Sequence, residues 1–263
     1  MRSVQHSQEE EKANPERRRF SIPRSRALVC DLLQLEKSLP TVSHFREFDL
    51  SHLRKCRDGA AEKIAWPILF IKGYAIVAAK HPALRQAWMR FPWPFLYQHP
   101  HSVAMLSVKR TYQNEEWLFF ASFDKPEEKA LEALQHRLEN YRNEPVEEVF
   151  RRHYKAAHLP TWIRRPLMWI WLNWMGNRRA RKMGTFGLTT VGSRGAVIQD
   201  PPGMLTSTMT YGPFDENGKC RVTIAYDHRL MDGWYIAEIL EELEVTMNGV
   251  IAEELGELGG DQS

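Results

Sequence analysis

The segment from residue 222 to 247 constrains the fold most. Val222, Ile224 and Tyr226 alternate with Thr223, Ala225 and Asp227, the period-two pattern of a strand, and His228 continues the apolar series. Ile236, Ile239, Leu240, Leu243 and Met247 then recur at helical spacing. Asp232-Gly233 supplies the bend between strand and helix. The alternation aims His228 the same way as Val222, Ile224 and Tyr226, toward an interior or a cleft. A partly buried imidazole held at such a bend can act as a general base near neutral pH.

Upstream, Leu28, Leu32, Leu35 and Leu39 predict a helix over residues 20–39, stopped by Pro40. Residues 42–50 alternate as a strand, and Ser51 reads as the N-cap of the next helix. Residues 64–80 read as a mostly buried helix ended by His81-Pro82. Residues 103–108 and 117–123 are strand candidates. Residues 125–142 form an amphipathic helix entered through Pro126, with Leu131, Leu134 and Leu138 on one face. After an unusual stretch at about 146–182, strands return at 184–191 and 204–210. Asp215-Glu216-Asn217-Gly218 turns the chain into the strand that ends at His228. No internal repeat is visible.

The 263 residues suffice for one large domain or two small ones. Lys plus Arg number 36 against 33 acids, a balance that argues against nucleic acid as the main partner. Cys30, Cys56 and Cys220 are odd in number and scattered, so neither a metal site nor a disulfide framework follows, and a reducing compartment is expected. The first nineteen residues are polar and charged and lack the apolar core of a signal peptide. No run reaches the roughly 18 apolar residues a spanning helix needs. The reading is of a cytoplasmic protein with flexible tails at 1–19 and 256–263 around one domain over 20–255.

As a general base, His228 would take the proton of a thiol, hydroxyl or amine attacking an acyl carbonyl. The developing oxyanion then needs a donor. The segment Gly184-Thr185-Phe186-Gly187-Leu188-Thr189-Thr190-Val191-Gly192 offers hydroxyls between glycines, where a ligand can approach the backbone. Asp232, four residues past the base, is placed to pair with an arginine and lock the turn. His44, His81, His99 and His101 have no partner pattern and read as structural. Taken alone, each segment also suits an ordinary strand end or edge strand; their company gives them weight.

Together, Asp227-His228-Arg229 with Asp232-Gly233 resembles the active-site motif of dihydrolipoyl acyltransferases, the core subunits of 2-oxo acid dehydrogenase complexes, which share a fold with chloramphenicol acetyltransferase. Residues 184–192 resemble that family's Gly-Thr-Phe-Thr-Ile-Ser-Asn-Leu-Gly strand. Asp200-Pro201-Pro202 sits where the family has Asn-Pro-Pro. Pro40-Thr41-Val42-Ser43-His44-Phe45 and Phe48-Asp49-Leu50 are similar to its Pro-His-Phe and Val-Asp strand, and residues 63–82 to its long helix. The similarity spans about residues 17–250, apart from the stretch at 146–182.

The resemblance implies an α/β two-layer fold, a mixed sheet flanked by helices, in a homotrimer with active sites at subunit interfaces. Coenzyme A would enter one end of a tunnel as acyl-CoA and the acceptor the other, with no metal. His228 matches the family's base, Asp232 its structural carboxylate and Thr189 its oxyanion-stabilising serine. Arg24 or Arg26 is the arginine expected to meet Asp232. Thr190, Gly192 and Gly233 fall at coenzyme-contacting positions, with Thr190 replacing the family's asparagine. No lipoyl domain, subunit-binding domain or Ala/Pro-rich linker precedes the motifs, so a free-standing acyltransferase with a different acceptor is expected.

Two other readings stand beside it. One is a trimeric scaffold or binding module that keeps the fold without turnover; the other is an acyltransferase served by a carrier protein's pantetheine or lipoyl arm. In the stretch at 146–182, Trp162, Trp169, Trp171 and Trp174 are flanked by Arg164, Arg165, Arg178, Arg179, Arg181 and Lys182. Those tryptophans either pack against the protein itself or form an interfacial helix or a wall for a long acyl chain, which would make the protein peripheral to a membrane.

Overall fold

The computed structural model describes residues 22–37 and 39–258. The expected tail at 1–19 lies outside the described residues. Six strands form one mixed sheet: β1 (Thr41–Asp49), β4 (Val103–Tyr112), β5 (Glu115–Asp124), β6 (Phe186–Leu188), β7 (Ser207–Tyr211) and β8 (Lys219–Asp227). Their spatial order is β1-β8-β7-β6-β4-β5. Strands β4 and β6, and β6 and β7, pair in parallel; the other neighbours are antiparallel. A two-stranded hairpin, β2 (Gln86–Met89) with β3 (Phe95–Gln98), stands apart.

Period-two patterning gives the sheet one greasy face. Cys220, Val222, Ile224 and Tyr226 on β8, with Met209 and Tyr211 on β7, join the main core. The helix α1 (Arg24–Glu36) precedes β1, α2 (Ser51–Gly59) and α3 (Trp66–Lys80) follow it in succession, and α4 (Leu131–Asn143) comes after β5. Helix α3 is central and buried almost throughout. Its one core lysine, Lys72, is ion-paired with Glu254, so the charge is not left alone in the interior. Glu254 belongs to α10 (Ala252–Glu257), which follows α9 (Gly233–Thr246) through a π-helical turn at Met247–Ile251. Helix α10 therefore reaches into the segment read as a tail from 256; residues 259–263 lie outside the described residues.

Other boundaries moved for local reasons. The helix expected over 125–142 is divided: Lys125 is left-handed (φ 50°), a 3₁₀ turn spans Pro126–Glu128, and Lys129 is extended before α4 begins. Leu50, not Ser51, is the residue before α2; Asp49 Oδ1 accepts from Ser51 N at 3.1 Å. Strands β4 and β5 run past their apolar stretches to a two-residue turn, Gln113-Asn114, with φ of 52° and 60°. Positive φ at both positions matches the twist of a tight hairpin.

The stretch at 146–182 folds into four short helices: α5 (Val146–Val149), α6 (Arg151–His158), α7 (Thr161–Asn173) and α8 (Gly176–Met183). Asp31 of α1, 1% exposed, anchors them. It accepts from Arg164 Nε at 2.5 Å and Arg165 Nε at 2.7 Å, while Arg164 also reaches the carbonyls of Ala157 and Leu159. Among the described residues no helix is long and apolar enough to cross a membrane.

Candidate active site

Strand β8 ends at Asp227, one residue short of the histidine. His228 opens a three-residue turn and is exposed in the single chain, so of the interior or cleft that the alternation allowed, the interior is ruled out and the imidazole lies at the rim. The turn is tied down at both ends. His228 N donates to Pro40 O at 3.0 Å, and Leu230 N to Asp227 O at 3.0 Å. The side chain is oriented as well: Nδ1 lies 2.9 Å from Met231 O. A carbonyl only accepts, so Nδ1 carries the hydrogen and Nε2 is left with a free lone pair. The ring also meets Tyr226 edge-on, centroids 5.8 Å apart, and Tyr226 in turn lies 5.6 Å from His44. Burial raises the Tyr226 phenol, with Asp232 adding to the shift. Tyr226 Oη and His44 Nδ1 are buried without a hydrogen-bond partner among the described residues.

The lock on the turn differs from the one expected. Asp232 is exposed and caps α9, its Oδ1 accepting from Tyr235 N at 2.9 Å. No arginine among the described residues pairs with it. Arg24 and Arg26 lie at the start of α1, where the neighbouring Ser25 N donates to Glu115 Oε2 on β5. Strand β5 is four strands from β8, about 19 Å at the usual spacing. The carboxylate that holds the turn is Asp227, 1% exposed. Its two oxygens accept from Arg229 Nε at 2.8 Å and Nη2 at 2.6 Å, and Arg229 N adds a third bond at 3.1 Å.

Behind this pair stands Arg179 of α8, itself buried. Burial pushes its guanidinium down to about 10, Asp227 opposing the shift and Arg229 adding to it. Arg179 reaches the carbonyls of Trp88 and Met204 at 3.4 Å, and the Arg229 guanidinium lies 5.4 Å from the centre of the Trp88 ring. The stretch at 146–182 thus reaches the histidine turn indirectly, through Trp88 and through the charge of Arg179 near Asp227. Sequence reading missed Asp227, Arg179 and Trp88 as supports; only the Asp-x-Arg spacing of 227 and 229 hinted at the first.

The second segment lies elsewhere. Thr189 follows β6, and its N–H donates to Met209 O at 3.1 Å; it is partly exposed. Its hydroxyl has no partner among the described residues. The Thr190 hydroxyl is committed, donating to Tyr211 O at 2.9 Å and accepting from Gly192 N at 3.1 Å. A Cβ on Gly192 would sit 2.8 Å from Gly212 O, and one on Gly233 would sit 2.7 Å from His44 Nε2. Backbone packing therefore requires glycine at 192, whereas at 233 a side chain would have to displace the His44 ring. Cys220 is buried, which pushes its thiol up to about 12 and leaves it no use as a nucleophile.

Register separates the two halves. Leu188 pairs with Met209 and Met209 with Ile224, so Thr189 is level with Thr223. His228 lies five residues further along β8, about 17 Å along the strand and about 10 Å across it. One chain cannot bring these two side chains to a common substrate. A cleft of about 440 Å³ opens at the histidine end of the sheet, lined by Tyr97, His99, His101, Asp124, Asn177 and Arg181.

No protein-family profile and no curated protein sequence matches the chain. Solved structures do. A probable dihydrolipoamide acetyltransferase from Listeria monocytogenes 4b F2365 superposes with a TM-score of 0.64 at 12% identity, over 94% of this chain and 98% of that one. The truncated catalytic core of the 2-oxoacid dehydrogenase multienzyme complex from Thermoplasma acidophilum gives 0.64 at 14% identity, over 89% and 99%. Chloramphenicol acetyltransferase gives 0.52 at 8% identity, over 86% and 98%. The chain has the fold of these acyltransferase cores, as the Asp-His-Arg and Gly-Thr-Phe segments led one to expect.

Proposed function

We propose that the protein is an acyl-CoA-dependent acyltransferase whose active site forms between neighbouring copies in a homotrimer. The observation that carries this reading is the oriented imidazole of His228, with Nδ1 held by Met231 O and Nε2 free at an exposed turn. The 17 Å offset between Thr189 and His228 supports a composite site, because a second copy can present its own Thr189 where the first presents His228.

In this reading His228 Nε2 takes the proton from an acceptor thiol, hydroxyl or amine as it adds to the thioester carbonyl. The oxyanion accepts a hydrogen bond from the partner copy's Thr189 hydroxyl. Collapse of the tetrahedral intermediate breaks the carbon–sulfur bond, and the imidazolium returns its proton to the departing coenzyme A thiolate. Asp232 acts by capping α9 and so setting the position of the turn. Gly192, Gly233 and the backbone at Thr190 shape the two mouths through which coenzyme and acceptor enter.

The test is release of coenzyme A thiol from short- and long-chain acyl-CoAs by wild-type protein and by His228→Ala, with assembly checked by sedimentation velocity. The expected loss is about 10²–10⁴-fold with the oligomer intact. Equal turnover in the two proteins would reject the reading and favour a scaffold of the same fold. That alternative draws on Asp232, whose helix cap would be retained whether or not the chain turns over substrate.

A further inference from the structure

The tip of the β2–β3 hairpin exposes six apolar residues in a row, Phe91-Pro92-Trp93-Pro94-Phe95-Leu96. Trp93 is 72% exposed. The tip is fastened to the end of α7: Asn173 O accepts from both Arg90 N and Phe91 N at 2.9 Å, and the Phe91 ring meets Trp174 edge-on at 5.0 Å. Helix α7 buries Arg164, Met168 and Leu172 and so leaves Trp162, Arg165 and Trp169 on its outer side. Trp162 is 77% exposed.

The charge around this surface is one-sided. The chain as a whole nearly balances, yet residues 151–199 hold ten Lys and Arg and no Asp or Glu; Arg164 and Arg179 are buried and Arg165 shares Asp31 with Arg164, which leaves seven to face outward. Arg178, Arg181 and Lys182 of α8 are exposed, and Lys182 stands 5.3 Å from the centre of the Trp171 ring. An apolar run of this length on a folded surface marks a contact site. Indoles and prolines ringed by cations match the headgroup region of an anionic bilayer, where aromatic rings settle at the interface and basic residues meet acidic lipid. A second copy of the same face would bring cations against cations.

We propose that the hairpin tip and the outer side of α7 together dock the protein on anionic lipid. Trp93, Phe95, Leu96 and Trp162 enter the headgroup layer, and the arginines and lysines of α8 read the surface charge. This docking does not depend on the acyl-transfer reading.

Vesicle flotation with the full-length protein tests it, using phosphatidylcholine alone and phosphatidylcholine mixed with phosphatidylglycerol. The wild type should float with the mixed vesicles and not with the neutral ones, and added salt should weaken binding. The double variants Trp93→Ser/Trp162→Ser and Arg178→Glu/Lys182→Glu should each cut binding about tenfold or more, with unchanged far-UV circular dichroism. A folded wild type that ignores anionic vesicles overturns the proposal. So do variants that bind as well as wild type, or variants that lose self-association in lipid-free buffer while keeping vesicle binding, since the surface would then be a contact between copies.

Discussion

At residue scale, a carbonyl oxygen has no hydrogen to give, so one 2.9 Å contact assigns the tautomer of the neutral candidate base. The free Nε2 makes the Thr189 hydroxyl the next residue to test. Thr189→Ala should lower kcat by about 10²–10³-fold, the cost of one oxyanion donor, while Thr189→Ser keeps most of the activity; steady-state kinetics on the same acyl-CoA checks both. The supports are as telling as the base. Asp227→Ala leaves Arg229 without its carboxylate and removes the charge that offsets Arg179; with Arg229 partly exposed, the cost should be about 1–3 kcal/mol. Urea unfolding should show that loss, and turnover should fall with it. The strand leading to His228 and the glycine-bounded strand before Thr189 were legible because alternation and glycine spacing depend only on neighbours in the chain. The partner of Asp232 was not. A carboxylate before a helix can cap its own helix or reach a distant arginine, and only the fold chooses between them.

Among elements, the long central ones were readable and the marginal ones were not. Helix α3 declares itself by continuous apolar content. The outer halves of β4 and β5 carry Lys109, Arg110, Glu115 and Glu116, which look like loop; their pairing rests on ladder bonds and on a Lys109–Glu116 ion pair at 2.7 Å. The β2–β3 hairpin escaped notice because Pro92 and Pro94 punctuate it. The helices over 146–182 are held by packing more than by propensity. Asp31→Ala should therefore release Arg164 as an unpaired buried charge and destabilise the protein by about 3–5 kcal/mol, read by urea denaturation.

Helix α6 also confers acid sensitivity. His153, packed on Phe119 and Phe120, is pushed down to about 4 by burial. His99 is likewise near 4, through burial first and then the neighbouring His101. Both lie below the ordinary value near 6.5, so the unfolded chain takes up protons first as pH falls. Their stabilising contribution is complete above pH of about 6.5 and is lost as pH drops toward about 4, at up to about 1.4 kcal/mol per pH unit for each. Unfolding midpoints across that range should show the slope, and His153→Phe should reduce it.

For the whole molecule, sheet order and register carry more than any motif. The expected mixed sheet is present, and the register across β6, β7 and β8 sets Thr189 level with Thr223, about 17 Å along the strand from His228. No sequence pattern states that separation, because it arises from the long excursions between β4, β6 and β7. Coexpressing His228→Ala chains with Thr189→Ala chains should restore activity that neither has alone, in about a quarter of the sites for random trimers. Absence of any recovery in verified mixed assemblies would reject the composite site.

If the proposed composite site holds, the offset between residues 189 and 228 would make turnover a function of abundance. In that proposed site a lone polypeptide would hold only half the machinery at each end, so specific activity should collapse on dilution below the dissociation constant of the assembly and return on concentration. The catalyst would then report how much of itself has been synthesised, with no separate regulator required.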